Sequence, residues 1–129
     1  MQTVSEALKN AVSFLEDALK ACVGGDDGVL QDKVWHAAAE VEYAVFLLSL
    51  TQESENDSWK NSFQQPANLN IGSALALAQD NLLEAARRLE EDQTEAYRFA
   101  WIARGLILTV QDSIDKLGKQ RSTLASSDS

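Results

Sequence analysis

Only one proline, Pro66, interrupts this chain, and on both sides of it apolar residues recur every three or four positions. That period places them along one face of a helix; a half-buried strand would show them at every second position. Proline costs a helix interior about 3 kcal/mol, so its scarcity leaves long helices free to form. The chain therefore has to solve one problem, which is how to bury several amphipathic helices against one another.

Four segments carry the helical period. The first spans about 4–23, with Val4, Leu8, Ala11, Leu15, Ala18 and Cys22 on one face. Thr3 and Glu6 form the T-x-x-E pattern of a capping box, and Gly24-Gly25 supplies a stop. The second spans about 28–51, capped by Asp26 or Asp27. It carries two stripes, one of Val34, Ala37, Val41, Ala44 and Leu48, the other of Ala39, Tyr43, Phe46, Leu47 and Leu50. A helix apolar on two sides asks to be covered on two sides. The third spans about 71–91, with Asn70 as its cap and Ile71, Leu75, Ala78, Leu82, Ala85 and Leu89 as its stripe. The fourth spans about 93–117, opened by Asp92 and ended by Gly118, and is apolar nearly all round. Trp35 and Trp101, at matching places on the second and fourth helices, are expected in the core or, alternatively, on a symmetric contact surface.

Short acidic turns join the first helix to the second and the third to the fourth, so each pair is an antiparallel hairpin. Two such hairpins give an all-α antiparallel four-helix bundle over residues 1–118. Shifting the first stripe by 67 positions lays Val4 on Ile71, Leu8 on Leu75, Ala11 on Ala78, Leu15 on Leu82 and Ala18 on Ala85. Shifting the second by 66 lays Trp35 on Trp101 and Val41 on Ile107. A duplicated hairpin explains this; so does the ease with which Ala and Leu stripes slide into register. Residues 52–70 are polar and long for a connection in so small a domain, which marks a crossover, a disordered segment or a functional element. Residues 119–129 read as a disordered tail.

Charge narrows the function. Lys and Arg number 11 against 20 Asp and Glu, a formal charge of −9. No segment is strongly basic, so no nucleic-acid partner is expected. The longest apolar run, 44–48, is far too short to span a membrane. The start of the chain has neither the basic end nor the apolar block of a signal peptide, and Cys22 has no partner for a disulfide. A cytoplasmic location is the expectation.

Chemistry is scarce. Di-iron bundles need paired Glu-x-x-His motifs, and this chain has one histidine, His36, with Lys33 three positions before it. Asp32, His36 and Glu40 follow one another at every fourth position and are the only acid–His–acid stripe, a weak candidate for a metal; the plainer reading is a set of helix-surface contacts. All-α nucleotide pyrophosphohydrolases hold Mg²⁺ with E-x-x-E and E-x-x-D motifs. The stretch 39–50 loosely resembles the surroundings of the second motif, but Glu40 is followed three residues on by Tyr43. A carboxylate-dependent hydrolase of that type is the alternative reading. No motif implies a cofactor, and no catalytic residue is assigned.

The helix–turn–helix segments 14–45 and 81–108, each with a short polar turn and an Ala- and aromatic-rich second helix, resemble the hairpins of HEPN-like proteins. The ribonuclease members of that family carry an Arg followed, four to six positions on, by His. Here Leu30, Gln31 and Asp32 precede His36, and Arg98 and Arg104 have no His after them. The resemblance thus implies a non-catalytic, commonly dimeric, binding member.

What remains is surface. Trp59 and Phe63 stand in the polar connection, either as interface anchors or folded back onto the bundle. The leading expectation is a non-enzymatic protein that binds a protein partner or a second copy through the spare stripe of the second or fourth helix. Trp59, Phe63, Trp101 and Leu106 are its candidate contact residues, and Trp101→Glu or Leu106→Glu is expected to break assembly.

Overall fold

The computed structural model describes residues 2–52, 59, 60, 63 and 69–127, with side chains as far as Gly118. Four long helices are present: α1 (Val4–Gly24), α2 (Asp27–Ser49), α3 (Ile71–Arg88) and α4 (Gln93–Ser127). Local chemistry starts each one. The Thr3 hydroxyl accepts the Glu6 amide at 3.1 Å, and Asp26 accepts the Val29 amide at 3.2 Å. Asn70 accepts the Ser73 amide at 2.7 Å, and Asp92 the Glu95 amide at 3.2 Å. Each such cap satisfies an amide that the first turn leaves without a partner. Gly25 ends α1 in the left-handed conformation, with φ at 74°. The amides of Gly25 and Asp26 then close back on the carbonyls of Cys22 and Ala21.

The helices form a ring in which α1 packs on α2 and α3, and α4 packs on the same two. All neighbours run antiparallel. Tyr43, late in α2, donates its hydroxyl to the carbonyl of Gln2, just before α1, at 2.7 Å. Gln79 of α3 donates to the Val12 carbonyl of α1 at 3.3 Å, and a Cβ on Gly72 would lie 3.9 Å from the Cys22 sulfur. Arg104 of α4 meets Glu42 of α2 at 2.6 Å. It follows that α2 and α3, on one diagonal, point the same way. The connection between them has to travel the length of the bundle, roughly 27 Å for the 18 residues of α3. Its length is therefore a topological requirement, since it has to cross from one end of the bundle to the other.

The core is built from small and branched residues. Leu8, Ala11, Leu15 and Ala18 of α1 are fully buried, as are their shift-related partners Leu75, Ala78, Leu82 and Ala85 of α3. Val34, Ala37, Val41 and Ala44 of α2 meet Ala100, Ala103, Ile107 and Val110 of α4. Alanine lets the helix axes approach toward the short end of the usual 8–10 Å, and each buried Leu contributes about 1.5–3 kcal/mol. No polar or charged residue is buried among those described.

Four expectations need correction. Trp35 is 60% exposed, not core, because Val34, Ala37 and Ala38 take the buried phase of α2 and leave Trp35 on the outer rib with Glu42. The second stripe of α2 is half-buried at Tyr43 and Leu47, while Phe46 and Leu50 face solvent. Leu106 is 1% exposed, so it is a core residue and not a contact residue. A glutamate there would break the core itself, which removes Leu106→Glu as a probe of assembly. Finally, α4 runs through Gly118 to Ser127, where a stop and a disordered tail were expected. Gly25 is the one described glycine with positive φ, so Gly118 does not adopt the conformation that ends a helix.

Candidate functional site

The side chains that stand out lie along the outer edge of the α2–α4 seam. On α4, Tyr97, Trp101, Arg104 and Leu108 follow one another at spacings of four, three and four, which forms a single rib. Trp35, Ala39, Glu42 and Phe46 make the same rib on α2. The Glu42–Arg104 pair ties the two ribs together, above a shallow groove lined by Ala38, Val41, Ile107 and Leu108.

One end of this edge is covered by the crossover. The Trp59 ring stands edge-on to Trp101 at 5.0 Å and to Tyr97 at 6.1 Å, and Phe63 packs edge-on to Trp101 at 5.9 Å. The Phe63 amide donates to the Trp59 carbonyl at 3.0 Å, and both rings meet Trp101. Lys60 donates from Nζ to the Tyr97 hydroxyl at 2.7 Å and sits 5.1 Å from that ring's centre, 5.7 Å from those of Trp59 and Trp101. The Arg98 guanidinium lies 5.4 Å from the Trp59 ring and pairs with Glu95 at 3.2 Å. Edge-to-face rings and cations over ring faces are the geometries in which aromatic quadrupoles attract. Trp59, Phe63 and Trp101 are thus brought together as an intramolecular clamp, and Leu106 is excluded from it.

The other end is bare. Trp35 is 60% exposed there, and Leu108 is exposed nearer the middle of the edge; Phe46, also 60% exposed, and Leu50 lie late in α2, level with Trp101 and Tyr97. Beside Trp35 lies a shallow, open hollow on the surface of α2's first turns, bordered by Gly28, Gln31 and Asp32 of the same helix.

The acid–His–acid stripe does not converge. His36 donates from Nδ1 to the Asp32 carbonyl at 2.7 Å and stacks at 5.2 Å on Phe14. The Asp32 carboxylate stays 3.5 Å from the same nitrogen. Glu40 turns the other way and takes a hydrogen bond from Gln2 at 2.7 Å. Among the described residues no three His, Cys, Asp or Glu side chains gather as a metal site. Asp112 pairs with Lys116 at 3.0 Å, along α4 and not across helices. Among the same residues no helix is long and apolar enough to cross a membrane.

Reasoning from sequence missed Tyr97 and Lys60; Phe46 belongs to the second stripe of α2, which the sequence marks as spare, but is not singled out there. The signal for Tyr97 is its place one turn before Trp101; Lys60 adjoins Trp59 and carries the only cation of that turn. Comparison with family models, with characterised proteins and with solved structures finds no match for this chain. Any reading of its function rests on the geometry above.

Proposed function

We propose that the chain is a non-enzymatic helical bundle that works by binding protein through the outer α2–α4 face. The observation that carries this is the exposure of Trp35 and Phe46 on one rib of α2, with Leu108 exposed across the seam. Leaving large apolar side chains in water forgoes the burial energy they offer. The hairpin pattern that resembles HEPN-like binding proteins agrees with this reading.

The test is a photo-crosslinking residue placed at Phe46 of the full chain in its own cells, with a control at Glu16 on the opposite, α1–α3 side of the bundle. A discrete adduct at position 46 and none at 16 is the expected result. An identical smear at both positions, or no adduct at either, would remove the reading. Light scattering of the purified chain then tells self-association from a different partner, since a dimer doubles the measured mass.

A further inference from the structure

The two ends of the α2–α4 edge are related by the internal repeat, and only one of them is covered. Val12 and Gln79, equivalent under the 67-residue shift, touch each other. Val41 and Ile107, equivalent under the 66-residue shift, line one groove. Contacts between equivalent positions are what an approximate two-fold axis through the bundle produces. The same shift lays Trp35 on Trp101, Gln31 on Tyr97 and Asp32 on Arg98. Trp101 receives Trp59, Phe63 and the ammonium of Lys60. Trp35 stands beside its hollow with nothing from the described chain upon it.

We propose that the Trp35 hollow docks a segment of a different protein that presents an aromatic ring next to a lysine. This is the chemistry that the chain lays on Trp101 in its own crossover. The inference rests on the interaction reading above and names the partner class for that face. Charge favours it. A cation placed at Trp35 as Lys60 is placed at Trp101 meets the Asp32 carboxylate and the Gln31 amide, where Lys60 has a phenol and a nearby guanidinium. By helical register, Asp112 and Asp115 of α4 border the same end of the seam. Carboxylates around an aromatic face suit a cation that gains both a salt bridge and a ring contact. A second copy suits the site poorly. Its Trp59, Lys60 and Phe63 are already engaged on Trp101, and it brings another −9 of charge.

The experiment uses the full chain labelled with ¹⁵N and an unlabelled, end-capped peptide of the sequence DSWKNSFQ, residues 57–64 of this chain. The Trp35 indole N–H and the amides of 28–35 are expected to shift on titration. A peptide carrying Lys60→Glu should bind about tenfold more weakly, a difference of about 1.4 kcal/mol. Trp35→Ala in the protein should abolish the response, and Asp32→Asn should erase the preference for lysine without disturbing the fold. The proposal is overturned by shifts confined to Trp101, by equal binding of both peptides, or by no shift at millimolar peptide. It is also overturned if the chain is a dimer that Trp35→Ala dissociates, since the occupant is then a second copy. Adducts at Phe46 with no response at Trp35 would retire this inference and leave the interaction face standing; loss of both would retire the two together.

Discussion

Gln79 reaches from α3 to the backbone carbonyl of Val12 on α1, the position it matches under the 67-residue shift, at 3.3 Å. A residue that touches its own equivalent lies near the axis relating the two halves. Burial agrees, because Leu8, Leu15 and Ala11 are as completely buried as Leu75, Leu82 and Ala78. Leu15→Ala and Leu82→Ala should therefore destabilise the bundle alike, by about 2–5 kcal/mol each. Urea unfolding followed by circular dichroism measures both. A difference of more than about 2 kcal/mol would show that the two sites relax differently and that the symmetry stops at the backbone.

Two adjacent glycines should respond in opposite directions. Gly24 is inside α1 and Gly25 is left-handed, and a Cβ on either meets no atom within 4 Å. Only backbone preference separates them. Gly25→Ala should cost about 1–2 kcal/mol, because an L-residue resists that conformation. Gly24→Ala should stabilise by about 0.4–1 kcal/mol through loss of freedom in the unfolded chain. If Gly25→Ala proves neutral, the turn between α1 and α2 does not depend on the Schellman closure.

Sequence reasoning succeeded where the cause is local and failed where it is tertiary. Thr3, Asp26, Asn70 and Asp92 cap their helices as read, because a cap needs only the three or four residues after it. The stripes of α1 and α3 are strongly one-sided, so their core faces were legible. A helix apolar nearly all round, like α4, carries no phase, and that is why Leu106 was placed on the surface. Trp35 and Trp101 occupy equivalent helical positions; their different fates depend on a segment 42 residues before the second one. No window of local sequence holds that information.

The Glu42–Arg104 pair crosses the seam at 2.6 Å, with the two side chains 48% and 36% exposed. At that exposure water screens the charges, and such a pair is worth roughly 0.2–1 kcal/mol. A double-mutant cycle with Glu42→Gln and Arg104→Gln should return a coupling in that range, weakened by added salt. Its role in that case is to align the two ribs. A coupling above about 2 kcal/mol would mean the pair is shielded from water.

Millimolar Mg²⁺, Mn²⁺ or Zn²⁺ should leave the melting temperature unchanged. His36 is bonded to the Asp32 carbonyl and Glu40 to Gln2, so the stripe offers no converging set of ligands. A metal present at 100 times its dissociation constant would add about 2.7 kcal/mol to the folded state. That corresponds to several degrees for a chain of this size. A shift of that size, abolished by His36→Ala, would revive the carboxylate-dependent hydrolase.

Trp59 should matter to stability and Trp35 should not. Trp59 is half-buried and touches Trp101 and Tyr97 edge-on, with Lys60 and Arg98 over the surrounding rings. Each edge-to-face pair adds about 0.5–1.5 kcal/mol beyond burial. Removing the ring also leaves Trp101 uncovered, so Trp59→Ala should cost about 1–3 kcal/mol. Trp35→Ala removes a side chain already mostly in water and should stay within about 0.5 kcal/mol of the parent. Denaturation midpoints of the two variants decide this, together with hydrogen exchange at the Phe63 amide, which is bonded to the Trp59 carbonyl. Faster exchange at Phe63 in Trp59→Ala, with the helical signal intact, would show the crossover released while the bundle stays folded. Equal costs for the two tryptophans would mean that the clamp at Trp101 contributes no more than an exposed ring does, and the contrast between the covered and bare ends of the seam would lose its energetic basis.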